Sequence, residues 1–315
     1  MRLDRLSARG RMKFIIWGGL ILLALASATG LAANWIWEAD LYFNHFRVQL
    51  LCASLIALLV VSLIGRRFVP GALAVVALNV ALLGGRMIAM SPPDAHADGA
   101  SLRILSLNLL AENKDGEAVL SLITQTDADV VVALEFTPDW AQALASLDET
   151  YSHSVQRPQK GYHGIAIWAK KPFDVEAMTL GKRTENLVGL RARFADVDVY
   201  GVHPKAPITE RMWRGNRYSI SMIADAVTTS GRPSVVVGDF NATAWSRAFK
   251  PLVQAGLKRT YLSPFNPTFP AGDWLRGIEI DHMLVKDVAA RSRATCVETG
   301  SDHCAVIGEV WPVGR

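Results

Sequence analysis

The chain reads as an α/β sandwich carried behind a bundle of three transmembrane helices, and three observations predict this. Nearly charge-free segments, Phe14–Ala33, Val48–Gly65 and Phe68–Gly85, dominate the first ninety residues. From Leu102 onward, short β-rich runs alternate with helical stretches. Carboxylates, carboxamides and imidazoles then fall where several of those apolar runs stop.

The apolar segments come first. Each holds about 18–20 residues, enough at ~1.5 Å rise per residue to cross ~30 Å of hydrocarbon. One such run would fit a buried core helix, but three in a row with short polar joins favour a membrane anchor, with spans at about 14–33, 48–65 and 68–88. Arg2, Arg5, Arg9, Arg11 and Lys13 form a basic leader, yet the first run is long for a signal peptide and two more follow it, so it is read as retained. The first join carries Glu38 and Asp40 against Arg47, and the second is Gly65-Arg66-Arg67. By the positive-inside rule the leader and second join stay cytoplasmic. Everything after about Met90 is then expected outside the inner membrane.

Charge separates the two parts. Residues 1–99 hold nine Lys/Arg and five Asp/Glu, whereas residues 100–315 hold twenty-four of each. The basic character therefore belongs to the anchor, and the remainder has no cationic excess with which to grip a polyanion. Among the three cysteines, Cys52 sits within a span. Cys296 and Cys304 bracket Ser301-Asp302-His303; an extracytoplasmic location would permit a disulfide there, but two buried thiols are the expectation.

Residues 91–101 read as a linker rich in Pro, Gly and small residues, leaving 1–90 as anchor and 102–315 as the catalytic domain. Within that domain, Leu102–Leu107 and Val130–Leu134 read as buried strands flanking a helix at Gly116–Thr126. Ile165–Trp168 is a further strand, and Leu187–Phe194 with Val197–Val202 form a hairpin. A long helix falls within Ile208–Thr229, a strand at Ser234–Val237 and a helix at Trp245–Gln254. Strands at Ile278–Val285, Arg293–Val297 and Ala305–Val310 close the set. Mixed strands and helices in this order predict an α/β sandwich in one domain.

The chemistry lies at the strand ends, where open sheets place ligands. Hard divalent cations need carboxylate, carboxamide and water oxygens. Asn108, Glu135, Asp239, Asn241 and Asp302 all follow apolar β-like runs. Phosphoester hydrolysis also needs a base near the attacking water and a partner for the departing charge. His303 suits the first task and Asp281 is the candidate to orient it, while His203 suits contact with the phosphoryl oxygens or leaving group. His153, His163 and His282 are expected to be surface or satisfied core residues, with lining of the cleft a lesser alternative for His163, which lies beside a Gly-bounded strand start. Arg211, Arg214 and Arg217 recur every three residues, and Arg217 and Arg214 are candidate phosphate contacts, with a solvated helix face the plainer reading for Arg211 and Arg214. Trp213, Trp245 and Trp274 are expected to complete a core.

Asn108 in Ser106-Leu107-Asn108, Glu135, His203, Gly238-Asp239-Phe240-Asn241, Asp281 and Ser301-Asp302-His303 resemble, in order, the motif series of the endonuclease/exonuclease/phosphatase superfamily. The likeness runs from about Leu102 to Val310. It implies a DNase I-like four-layer α/β sandwich and a metal-dependent phosphoric ester hydrolase using Mg²⁺ (or Mn²⁺). On that resemblance Glu135 is the main metal ligand, helped by Asn108 and Asp302. Asp239 and Asn241 act on nucleophile and phosphate, His303 is the general base held by Asp281, and His203 contacts phosphate or leaving group. One departure is Leu134, where the family often has Gln. The anchor resembles a bacterial branch with N-terminal spans and an external catalytic domain.

The superfamily acts on nucleic acids, inositol phosphates, lipids and phosphoanhydrides, so fold does not select a substrate. The neutral catalytic part and short linker favour a membrane-associated, lipid-linked phosphoester or pyrophosphate. An extracytoplasmic nuclease acting on DNA or RNA is the less favoured alternative, and a non-catalytic sensor on the same fold a third.

Overall fold

The computed structural model describes residues 7–92, 101–181, 187–261 and 263–312. Most of the expected linker and part of the basic leader lie outside the described residues. The chain divides into two compact units, Met1–Ile88 with Trp245–Arg247, and Ala89–Ala244 with Ala248–Arg315.

In the first unit, helix α1 spans Ala8–Thr29, a short α2 spans Trp37–Ala39, α3 spans Arg47–Ile64 and α4 spans Val69–Ala89. Three stretches, Arg9–Ala32, Arg47–Ile64 and Arg66–Ala89, are long and apolar enough to cross a membrane, with mean hydropathies of 2.1, 2.3 and 2.0. Their burial is inverted relative to a water-soluble bundle. Ile15, Leu22, Leu59 and Leu63 point outward, whereas Ser27, Asp40, Asn44, Arg47 and Asn79 are buried. Arg47 Nη1 donates to Ser27 O at 2.6 Å, Asn44 Nδ2 to Asp40 Oδ1 at 2.8 Å, and Asn79 Nδ2 to Ser27 Oγ at 2.9 Å. Polar side chains turned inward and paired, with aliphatic ones outward, suit a bundle in lipid.

The second unit begins with β1 (Leu102–Asn108), α5 (Gly116–Thr126), β2 (Val130–Leu134), α6 (Pro138–Ala143), α7 (Leu147–Thr150), β3 (His153–Arg157), β4 (Ile165–Ala169), β5 (Asp174–Thr179), β6 (Val188–Arg193) and β7 (Asp198–Val202). It continues with α8 (Glu210–Ser230), β8 (Ser234–Asp239), α9 (Lys250–Gln254), β9 (Lys258–Arg259), β10 (Asp281–Lys286), β11 (Val288–Thr295) and β12 (Ala305–Pro312). Two six-stranded sheets result, in orders β11-β12-β1-β2-β4-β3 and β5-β6-β7-β8-β10-β9. Each contains one parallel pair joined by a helix, β1-α5-β2 and β7-α8-β8, among otherwise antiparallel neighbours.

The central strands of both sheets are covered on both faces, which is why they read as continuous apolar runs. Ile104, Val130 and Val132 meet Leu190, Val199, Val235 and Val237 between the sheets. Residues pointing the other way pack under helices. Leu105, Val131 and Ala133 lie with Val119, Ile123 and Trp140, and Tyr200, Val202 and Val236 with Ile220, Ile223 and Val227. This is a four-layer α/β sandwich, helix–sheet–sheet–helix.

The boundaries differ from expectation in several places. The predicted Arg293–Val297 strand is instead the eight-residue β11, starting at Val288 and paired along its length with β12. The Trp245–Gln254 helix is reduced to a tight turn at Arg247–Phe249 and the short α9, whose Pro251 sits in its first turn. Strands β3 and β5 escaped detection because both are sheet edges; β5 is almost wholly exposed and lacks apolar alternation. Cys296 and Cys304 form a disulfide rather than two thiols, with Cα atoms 4.3 Å apart. Trp213 and Trp245 are buried as expected, but Trp274 is 70% exposed.

Candidate active site

Parallel pairing brings the first two motif residues together. Asn108 ends β1 opposite Leu134, so Glu135, the next residue, turns over the sheet edge with φ of 56°. Asn108 Nδ2 lies 3.1 Å from Glu135 Oε1 and 3.2 Å from Asp239 Oδ2, and Ala111 N donates to Glu135 Oε2 at 2.9 Å. One carboxamide thus links a carboxylate of each sheet.

The other sheet supplies its share by the same rule. Val202 and Gly238 are paired across the parallel β7–β8 ladder, and Asp239 pairs with Asp281 across β8 and β10. Gly238 has φ of 144°, and a Cβ there would stand 2.0 Å from Val202 O. Only glycine fits, which explains the first residue of Gly238-Asp239-Phe240-Asn241. Asn241, at φ 49°, folds back so that its N donates to Asp239 Oδ1 at 2.7 Å and its Nδ2 to Pro204 O at 3.0 Å.

His303 occupies the centre of the remaining contacts. Its Nδ1 is 2.8 Å from Asp281 Oδ2, leaving Nε2 3.8 Å from Asp239 Oδ2 and 3.9 Å from Asp302 Oδ1. Ser301 Oγ donates to Asn108 O and accepts from His303 N, anchoring the turn to β1. His203 Nε2 approaches Asp239 Oδ2 at 3.5 Å, and its buried Nδ1 has no partner among the described residues.

These contacts shape the electrostatics. Burial alone would lower the His303 pKa, but Asp281, Asp239 and Asp302 outweigh it and push it up to about 10. Burial likewise opposes charge on His203, yet Asp239 and Glu135 raise its pKa. Asp239 is held below the usual carboxylate range because His303 and His203 overcome its burial. Asp281 goes the other way, raised by burial and by Asp239 despite His303.

Glu135, His203, Asp239, Asn241, Asp302 and His303 line one cavity of about 740 Å³. Asn108 and Asp281 lie just behind, joined to it by the hydrogen bonds above. Arg214 and Arg217 do not line it: Arg214 pairs with Glu210 at 2.6 Å, and Arg217 lies 4.6 Å over the Trp213 ring. Arg211 lines it instead. So does His163, for which the cleft is the lesser alternative to surface or core, and its ring stands 6.4 Å from that of His203. His282 is a satisfied core residue, with Nε2 2.9 Å from Ala242 O and Nδ1 2.9 Å from Glu279 Oε1.

Three positioning residues escaped the sequence reading. Thr268 Oγ1 accepts from Ile280 N and Asp281 N, and its carbonyl accepts from Cys304 N. The Phe269 ring packs on His303 with centroids 4.9 Å apart. Asn216 Nδ2 bridges Lys205 O and Phe240 O, each at 2.9 Å. Asn, Thr and Phe are common in turns and cores, so nothing in the sequence marks these as special.

The donor chemistry suits a divalent cation. Asp239, Asp281 and His303 offer ligand atoms within 4.8 Å of one another. The Asp281 and His303 atoms are engaged with each other, however, so the carboxylate oxygens of Glu135, Asp239 and Asp302 form the better set for a hard ion. Asn108, expected as a ligand, instead turns its Nδ2 to Glu135 and Asp239 while its Oδ1 accepts from Leu110 N.

The model of the Endonuclease/Exonuclease/phosphatase family matches residues 105–303, from β1 to the histidine of the Ser-Asp-His turn. The chain belongs to this family. Its members are phosphoester hydrolases. Solved structures of similar fold include a functionally unknown conserved protein from Enterococcus faecalis V583, with 18% identity, 67% of this chain and 100% of the other covered, and a TM-score of 0.57. Humanized D. rerio TDP2 covers 68% of this chain and 100% of its own at 14% identity and TM-score 0.56. The 3′ phosphatase NExo from Neisseria, bound to a product DNA hairpin, covers 66% and 98% at 20% identity and TM-score 0.53. A search of curated proteins by sequence finds no match. Identities this low establish the shared fold alone.

Proposed function

We propose that this protein is a membrane-anchored, divalent-metal-dependent phosphoesterase whose catalytic domain faces the extracytoplasmic side. The observation that carries the hydrolytic reading is the His303–Asp281 pair, with Nε2 aimed past Asp239 into the cavity. Asp281 accepts a hydrogen bond from Nδ1–H, which leaves Nε2 to take a proton from the attacking water. Asp239 and Asn241 orient that water and the phosphoryl group. As the water oxygen joins phosphorus, the P–O bond to the leaving group breaks, and His203, whose charged form Asp239 favours, donates to the departing oxygen.

Glu135 and Asp302, with Asn108 steering the Glu135 carboxylate through its Nδ2, would hold Mg²⁺ or Mn²⁺, which when bound supplies positive charge to the phosphoryl oxygens. A cation held there would offset the carboxylates that raise the His303 pKa, favouring the neutral imidazole that a base requires.

Two features support the extracytoplasmic placement. The basic residues Arg66 and Arg67 lie in the second join, and the Cys296–Cys304 disulfide is the kind that persists in oxidising compartments. The neutral catalytic part and the anchor together favour a lipid-linked phosphoester of the cell envelope. The second reading is a nucleic-acid end, favoured by the fold shared with NExo and with a TDP2 structure holding single-strand DNA product.

The deciding experiment assays full-length protein in detergent against bis-p-nitrophenyl phosphate, phospholipids and oligonucleotides. Mg²⁺, Mn²⁺ and EDTA are compared, with His303→Ala as control. Metal-dependent turnover abolished by His303→Ala is expected. Turnover untouched by EDTA and by the substitution would sink the reading, and salt-sensitive preference for oligonucleotide would select the second.

A further inference from the structure

A large part of the cavity wall comes from one stretch of chain, the loop after β7 and the first turns of α8. Lys205, Ala206, Ile208, Thr209, Arg211, Met212 and Gly215 all line it. The sequence there interleaves two chemistries, cationic at Lys205 and Arg211, aliphatic at Ala206, Ile208 and Met212. Leu110, Tyr162 and Phe269 extend the apolar lining from other loops.

Arg211 differs from its neighbours in α8. Arg214 is engaged by Glu210 and Arg217 by Trp213. Arg211 has no ion pair or hydrogen bond among the described residues, and it is exposed along the cavity. Ile208 is 67% exposed immediately before Thr209, which caps α8 by accepting from Met212 N at 3.2 Å. A branched aliphatic side chain left open beside a charged cleft gains by covering apolar surface of something else. The stretch is also pre-set, because Asn216 bonds both Lys205 O and Phe240 O and so ties it to the Asp239–Asn241 turn. Binding there requires little new ordering.

We propose that Lys205–Gly215 is a substrate-selecting wall for an amphiphilic phosphoester. Arg211 and Lys205 hold a second anionic group next to the scissile phosphate, and Ile208, Met212 and Leu110 take an alkyl or isoprenoid chain. This rests on the phosphoesterase reading above and names its substrate class. A diphosphate carrying an aliphatic chain satisfies both halves of the wall, whereas a nucleic-acid strand would leave the aliphatic half unused and find no net positive surface on the domain.

The test uses the full-length chain in detergent with Mn²⁺, comparing farnesyl diphosphate, farnesyl phosphate, isopentenyl diphosphate, bis-p-nitrophenyl phosphate and an oligonucleotide. Farnesyl diphosphate is expected to have the highest kcat/KM. Ile208→Ser should cut the farnesyl-over-isopentenyl preference by about tenfold. Arg211→Gln should cut the diphosphate-over-monophosphate preference by a similar factor, and Arg211→Lys should restore part of it. Melting temperatures equal to wild type verify that the variants fold. Equal losses on every substrate, no losses, or preference for the oligonucleotide would overturn the wall while leaving the hydrolase intact. If bis-p-nitrophenyl phosphate and all other substrates go uncleaved, the phosphoesterase reading falls and takes the wall with it.

Discussion

His303 Nδ1 and Asp281 Oδ2 are 2.8 Å apart although 22 residues separate them, and the bond crosses from the turn before β12 to the first residue of β10. These strands belong to different sheets, so the pair spans the seam of the sandwich. It fixes the ring and decides which nitrogen meets the cavity.

Breaking that bond should therefore cost rate rather than binding. Asp281→Asn is expected to lower kcat by about 10²–10⁴ while changing KM much less. His303→Ala should lose a similar amount, and the double variant scarcely more than either single one. Steady-state kinetics on the three variants check this, and additive losses would show that the residues do not act as a unit.

Stability without metal should depend on His303. The folded chain binds this proton more tightly than the unfolded chain, with a pKa near 10 against an ordinary 6.5. Its contribution is complete below about pH 6.5 and is lost as pH rises to about 10. In EDTA, the melting temperature of wild type should fall across that window more steeply than that of His303→Gln. Parallel curves would remove the proposed stabilisation.

Asp198 is a structural counterpart with no contact to the cavity. Fully buried, it accepts from Arg191, Arg232 and Ser230 at 2.6–3.0 Å. Burial would raise its pKa, but these donors lower it below the usual carboxylate value. Asp198→Ala should destabilise by about 1–3 kcal/mol, since it removes the shared buried acceptor of Arg191, Arg232 and Ser230 while Arg191 keeps Glu176 and Arg232 keeps the Phe194 and Ala195 carbonyls. The carboxylate's contribution should be present above about pH 4 and disappear as pH falls through its lower folded value. Denaturant melts at pH 7 and pH 3 measure both effects.

Gly238→Ala places a Cβ against Val202 O at a backbone angle that alanine rarely adopts. Because Asp239 follows directly, the expected outcome is a kcat loss of at least about tenfold together with a lower melting temperature. Retention of full activity would mean that β8 can shift without moving Asp239.

The disulfide predicts a thiol count. In protein isolated under non-reducing conditions and then denatured, one thiol, Cys52, should react; after reduction, three should. Loss of the bridge by Cys296→Ser should cost about 2–3 kcal/mol for so short a loop. Three reactive thiols before reduction would contradict the bridge and weaken the extracytoplasmic placement.

Much of this was legible from the sequence, for local reasons. The three membrane-length helices follow from run length alone. Strands buried on both faces announce themselves as apolar runs, and Asn108, Glu135 and Asp239 stand out as polar residues at their ends. Edge strands β3 and β5 carry no such run. The disulfide depends on the distance between two backbones, which spacing along the chain does not reveal. His163, Thr268, Phe269 and Asn216 matter through partners brought to them by other strands.

The arginines of α8 show the boundary most clearly. Recurrence every three residues marks a helix face, but three residues turn a helix by about 300°, so each step drifts about 60°. Arg217 therefore stands about 120° round from Arg211, and the same repeat places Arg211 at the cavity and Arg217 on Trp213. By itself, the sequence determined the kinds of chemical group available, the lengths able to span a membrane and the family. Which groups meet was decided by tertiary structure, because strand register and the packing of one sheet on the other set distances that no local periodicity encodes.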